Sequence, residues 1–276
     1  MLRIKNKLTI LDDDNAVFAD YSNKAIDYDR DTFTITLNSS TSYLYVGFYK
    51  PINVFYVELG TANVNAGTFT GEFYNGSTWV ALSGLYDETS SLTRSGFVQW
   101  DRGQTDEESV AVDSVTRFWY RFRPSVTHSA TVVNGLNIVF SDDTDLKREF
   151  FESSDFLPSG ETSHILSHLA ARDQIIQALR IGGAFKSNSG IRKDITAFDL
   201  LDMSQVKLAS TYLTLHKIFS SVMDDPEGIY KAKADEFKTN YSLAIKTPFI
   251  DIDRDDDGIN DANEKIQFKT LRIFRE

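Results

Sequence analysis

From about residue 16 to residue 141 the chain alternates apolar and polar side chains with a period of two, in TFTITLN, YLYVGFY, NVFYVELG, GTFTGEFYN, WVALSG, GFVQWD, RFWYRFRP and NGLNIVFS. Successive side chains of a strand point to opposite faces, so these segments, rich in Val, Phe, Tyr and Thr, predict short strands. The Gly, Asn, Asp and Ser turns between them predict an antiparallel sandwich. After DDTDLKREFFESSDFLPSG the period becomes helical. In TSHILSHLAARDQIIQALRIGG, Ile165, Leu169, Ile176 and Leu179 fall on one stripe, and Gly182 and Gly183 supply the stop. Leu208, Tyr212, Leu215, Phe219 and Val222 form the next stripe, and Tyr230, Ala234, Phe237, Tyr241 and Ala244 the last, between Pro226 and Pro248. The predicted fold class is α+β in two domains. Residues 1–150 form a jelly-roll-like β-sandwich, and residues 151–276 a bundle of three or four helices with an acidic loop and a terminal strand over 265–275. The polar stretch from Ser141 to Gly160 reads as the linker.

Composition narrows the function classes. At 276 residues and 41% hydrophobic the chain can build two cores. A formal net charge of −11 disfavours nonspecific binding to nucleic acid or to an anionic membrane, since phosphate affinity needs concentrated Lys and Arg. With no cysteine there is neither disulfide nor thiolate chemistry, and the compartment is undetermined. The basic start MLRIKNKLTILDDDNAVF lacks a long apolar core and a small-residue cleavage site, and no apolar run reaches the ~18 residues of a membrane helix. A soluble protein made without a secretion signal is the expectation.

The densest chemistry lies near the C-terminus, where DIDRDDDGINDANE holds seven acidic residues in fourteen. Like charge at that density is costly unless a cation offsets it, and here the carboxylates are spaced around a glycine. Counting from Asp253, alternate positions place Asp255, Asp257, Ile259 and Asp261, and Glu264 closes the set; Gly258 permits the sharp turn. That is the oxygen-ligand order of a calcium loop, with the Ile259 carbonyl as one ligand and Glu264 bidentate. Calcium suits it better than zinc, because no Cys or His lies in the loop. A solvated acidic turn is the plainer alternative. The form D-x-D-x-D-G-I-x-D-x-x-E resembles the calcium loops of thrombospondin type 3 repeats and dockerin-like segments more than an EF-hand, since the isoleucine precedes Asn260 rather than replacing it.

Residues 41 to 124, with EFYNGSTWVAL, YDETSSLTRSGFVQWDRG and RFWYRFRPS, resemble a β-sandwich module of bacteriophage virion proteins. Asn75-Gly76 supplies a hairpin turn, and Tyr74, Trp79, Trp100 and Tyr120 are expected in the core, the functional alternative being an exposed aromatic platform for carbohydrate. The helical half, with ARDQIIQALR, YLTLHKIF and DDPEGIYKAKADEFKTNY, resembles the head-to-tail connector or adaptor proteins of tailed phages. That resemblance implies a non-enzymatic virion protein in the neck, a cyclic ring of roughly twelve copies by analogy with connectors. Portal protein and tail or tail-terminator proteins would be its partners, with DNA passing through the ring and no membrane involved. The other function class is a tail or baseplate component whose sandwich binds host glycan.

Catalytic signals are sparse. His164 and His168 lie four apart, but HILSH lacks the glutamate of H-E-x-x-H, so helix-surface or subunit-contact histidines are expected. No G-x-S-x-G turn, phosphate loop or dinucleotide fingerprint is present. FKSNSGIRKD is a basic loop that either meets phosphate or is solvated, and a carboxylate pair for glycoside hydrolysis is not readable from sequence.

Overall fold

In the computed structural model the alternating segments become strands β1 (Thr9–Asp14), β2 (Val17–Asp20), β3 (Phe33–Ile35), β4 (Tyr43–Phe48), β5 (Val54–Thr61), β6 (Phe69–Tyr74), β7 (Trp79–Ala81), β8 (Tyr86–Asp87), β9 (Gly96–Gln99), β10 (Ser109–Val112), β11 (Val115–Pro124) and β12 (Thr131–Asn137). The structure describes residues 8–14, 17–26, 32–101, 104, 106–159, 163–188, 191–222, 228–246, 249–254 and 265–267. The chain divides into two compact units, Met1–Ile138 and Val139–Glu276, each taken by itself below.

The first unit consists of two antiparallel sheets. One has the order β2-β1-β4-β11-β6-β7, with β10 also paired to β11, and the other β3-β12-β5-β9-β8. Period two is visible in the burial of single strands: along β6, Phe69, Gly71 and Phe73 are buried while Thr70 is exposed and Glu72 and Tyr74 half-buried. Inward side chains of both sheets form one core. Trp100, just after β9, packs on Tyr120 of β11 with ring centroids 4.6 Å apart, and Phe55 of β5 meets Phe122 at 5.3 Å edge-on. Ring pairs offset or tilted in this way add to the area they bury. The buried Tyr120 hydroxyl is satisfied, accepting from the Ile52 amide at 3.0 Å and donating to Glu107.

Turn chemistry fixes the β6–β7 hairpin. The Asn75 side chain accepts from the amides of Ser77 and Thr78, and Gly76 sits at φ +88°, where a side chain is strained. A different glycine requirement operates inside the sheet. Gly47 of β4 lies opposite Trp119 of β11, whose indole covers it so closely that a Cβ would stand 2.4 Å from the ring.

The second unit contains helices α1 (Asp143–Glu149), α2 (Ile165–Ile181), α3 (Ser204–Ser221) and α4 (Ile229–Ala244), a hairpin β13 (Phe185–Asn188) and β14 (Ile191–Asp194), and a second hairpin β15 (Phe249–Asp251) and β16 (Lys265–Gln267). Leu146, Leu215, Ile218, Phe219, Ala234 and Phe237 form one of its core clusters, with Phe219 and Phe237 stacked at 5.6 Å. The segment read from sequence as linker is therefore structural. Asp142 caps α1 by accepting from the amides of Thr144 and Asp145, Asp145 returns the bond to the Asp142 amide, and Leu146 is driven into the core. Polar composition concealed this, because a seven-residue helix spends most of its polar side chains on its cap and solvent face.

Among the described residues no helix is long and apolar enough to cross a membrane.

Candidate functional site

Three places carry chemistry. The first is the acidic loop. Its leading strand β15 pairs antiparallel with β16, Ile250 opposite Ile266 and Asp251 opposite Lys265, so the loop joins two strands rather than two helices. Its start is pinned to the segment before α3: the Leu201 amide donates to the Asp251 carbonyl at 2.9 Å, and the Asp253 amide to the Asp199 carbonyl at 2.8 Å. The Gln205 amide group clasps Asp251, donating to Oδ2 at 2.7 Å and accepting from its backbone amide at 2.8 Å. Asp253 is buried. Asp255, Asp257, Gly258, Ile259, Asp261 and Glu264 lie outside the described residues, as does the terminal strand beyond Gln267. Among the described residues no group of three His, Cys, Asp or Glu side chains is arranged to hold a metal ion.

The second place is the histidine pair, and here the expectation of helix-surface or subunit-contact residues is corrected: His164 and His168 are both buried. His164 precedes α2 and its Nε2 pairs with the Ser153 carbonyl at 2.9 Å. His168 places Nε2 3.1 Å from Asp143 Oδ1 and Nδ1 3.1 Å from Ser141 Oγ, which is 2.8 Å from Ser210 Oγ. Burial alone would raise the Asp143 carboxyl. The bond and charge of His168, with donation from Ser163 and the His164 amide, outweigh that and hold it below the usual carboxylate range. The order hydroxyl, imidazole, carboxylate is that of a hydrolase triad, but Ser141 is fully buried and tied to Ser210, so no substrate carbonyl reaches it. The network instead links the start of α1 to α2 and α3. With both His168 nitrogens and His164 Nε2 engaged, the pair offers a metal no free lone pair from these atoms.

The third place was only half legible in the sequence. The outward side chains of the first sheet form a grid across β4, β11, β6 and β7, with Arg121 flanked by Tyr45 and Glu72 in one row and Trp119 beside Gly47 in the next. Of the four aromatics expected in the core, Trp100 and Tyr120 are there, whereas Tyr74 and Trp79 stand half-buried on this outer face. The Arg121 guanidinium lies 4.3 Å from the ring centroids of both Tyr43 and Trp79, and Arg123 lies 4.2 Å from Tyr43. Glu72 pairs with Arg121 at 2.6 Å. Leu11, Tyr45 and Trp119 make a small buried cluster on the same face, edged by Phe18, Val110 and Val112. The signal in the sequence was the pair of arginines two apart in YRFRP, which a strand must place on one face.

Comparisons with known proteins add little. No family model matches the chain and no curated protein matches it. Among solved structures, "CpGH89CBM32-6 produced by Clostridium perfringens" is similar over 49% of this chain and 94% of its own, at 11% identity and a TM-score of 0.30. "Family 89 Glycoside Hydrolase from Clostridium perfringens in complex with PUGNAc" is similar over 64% of this chain at 8% identity and a TM-score of 0.30, and this chain spans 20% of its length. At such TM-scores the likeness carries no argument about fold or function.

Proposed function

We propose that this chain is a non-enzymatic virion assembly protein, a head-to-tail connector or neck subunit that closes into a ring between portal and tail. In this reading a jelly-roll-like sandwich is an added module, and a helical bundle with its calcium loop and terminal strand is the assembling part. The observation that supports it is the surface of the helical unit, where Leu166 and Ile181 of α2, Leu208 of α3, and Ile229 and Leu243 of α4 are 47–72% exposed. The other faces of these helices are already buried, α3 and α4 in one cluster and α2 through Ala171, Ile175 and Leu179, so the exposed members can meet helices of neighbouring copies. Contacts of that head-to-tail kind make a ring where the rotation between copies closes. The partners are further copies, the portal and tail or tail-terminator proteins, with DNA passing through the ring. Native mass spectrometry of the purified chain should show a closed oligomer that Ile229→Asp with Leu243→Asp reduces to folded monomers. A chain that stays monomeric at micromolar concentration and maps to a tail fibre in the particle would sink the reading.

Calcium in the loop from Asp253 to Glu264 belongs to the same proposal. All its side-chain donors are oxygens, and the Asp251–Lys265 pairing already brings the two ends of the loop together.

A second reading is favoured by the outer face of the first sheet: a tail or baseplate component whose sandwich binds host glycan. Tyr43 and Trp79 present ring surface beside fixed polar groups on Arg121, Arg123 and Glu72, the combination of apolar area and placed donors and acceptors that a saccharide needs.

A further inference from the structure

We infer that this outer face holds a site for an acidic saccharide, with Arg123 taking the sugar's carboxylate or sulfate group. The inference rests on the glycan-binding reading and names its ligand class. Arg121 and Arg123 occur two residues apart on β11 and share a face, yet their guanidinium groups are in different states. Arg121 is engaged, packed by Tyr43 and Trp79 and paired through Nε with Glu72. Arg123 contacts the Tyr43 ring, and among the described residues its guanidinium makes neither an ion pair nor a hydrogen bond; its Nε is buried with no partner. A guanidinium carries five donors in a planar fork that matches a carboxylate or sulfate bidentately. Leaving a buried donor unmet is unfavourable, so an anion that meets this half-buried guanidinium gains a bond the fold itself does not supply.

The surroundings select the kind of anion. Thr70 lies directly across the strand from Arg123, is exposed, and donates its hydroxyl to the Arg123 carbonyl. On the other side Tyr43 holds the Arg123 guanidinium over its ring at 4.2 Å, which fixes the plane of the fork and sets apolar ring edge beside it. A polyphosphate such as nucleic acid would need a basic field, but this face also carries Glu72 and Asp13, and the whole chain bears a net charge of −11. One unpaired fork beside an aromatic ring in an acidic protein fits a single charged group on a sugar, read at short range.

The test is calorimetric titration of the full chain with sialyllactose against lactose, and with oligogalacturonate against its methyl ester, each pair differing in the charged group. Acidic members should bind at least about tenfold tighter than their neutral partners. Arg123→Gln should abolish that preference, and Arg123→Lys, which keeps charge but loses the fork, should fall between. Thr70→Glu, which sets a carboxylate opposite Arg123 and leaves the core untouched, should also abolish it. If acidic and neutral sugars bind equally, or if Arg123→Gln and Thr70→Glu keep the preference, the assignment of Arg123 is overturned while glycan binding stands. If no saccharide binds, the inference and the glycan reading fail together.

Discussion

The Arg121 guanidinium donates to the Glu72 carboxylate at 2.6 Å across β11 and β6, with their side chains only 17% and 30% exposed. Charge-assisted bonds of this kind are strongest where water is partly excluded, and two aromatic rings flank this one. Arg121→Met keeps the aliphatic stem but leaves Glu72 without its cation. It should destabilise the first unit by about 2 kcal/mol. All three tryptophans lie in that unit, so their fluorescence during urea unfolding reports it selectively. A loss under about 0.5 kcal/mol would show the pair to be no better than an exposed one.

A pH response should come from His128. It is buried, with Nε2 2.7 Å from Ser91 Oγ, and burial pushes its pKa down to about 4, the Asp87 carboxylate opposing this only in part. An unfolded histidine titrates near 6.5. As pH falls below that value the unfolded chain takes up a proton that the folded one refuses, so stability is full above about 6.5, declines toward 4 and then levels. The loss reaches about 3 kcal/mol at most. His128→Gln should flatten the fluorescence-detected stability profile across that window, and an unchanged slope would assign it to other groups.

Calcium should stabilise the second unit. An ion that binds only the folded form adds about 2.7 kcal/mol when it is free at a hundred times its dissociation constant. Chelator should lower the melting temperature followed by helical circular dichroism, and Asp255→Ala with Asp257→Ala should remove the response. Identical melts with calcium and with chelator would leave the loop a solvated turn.

The division at Ile138 makes a sharper fragment than one ending at residue 150. Residues 1–138 should give a β-rich spectrum and a cooperative melt. A fragment ending at residue 150 carries α1 without the α3 and α4 residues that cover Leu146, and it should aggregate more readily. Failure of the shorter fragment to fold would mean that its core needs the rest of the chain.

Periodicity carried far in this sequence because most elements are two-faced. The strand segments and the stripes through Ile176 and Leu179, and through Ala234 and Phe237, were visible as alternation or as helical spacing. On α3 the buried line runs through Val206, Ala209 and Leu213, and Leu208, read as a stripe member, faces solvent at 49% exposure. Small residues made the difference there: Ala209, Ser210 and Thr214 let other elements approach closely, and hydropathy gives such residues little weight. The histidine network was illegible for another reason. Ser141, Asp143, His168 and Ser210 are scattered over seventy positions, and only the packing of three helices gathers them. Arg123 was legible as a position on a strand face, but its lack of a partner is a property of three neighbouring strands.

Gly47 and Trp119 form a pair that neither sequence nor hydropathy would couple. Because the indole lies over the glycine, any side chain at position 47 must expel the ring, and the ring in turn shields the strand backbone from water. Substitutions at the two sites should then be strongly non-additive: Gly47→Ala costly beside tryptophan and mild beside a small residue. In a library that randomises both positions, survivors would show the volumes at 47 and 119 moving in opposite directions, so the two behave as one inherited unit split between strands seventy residues apart.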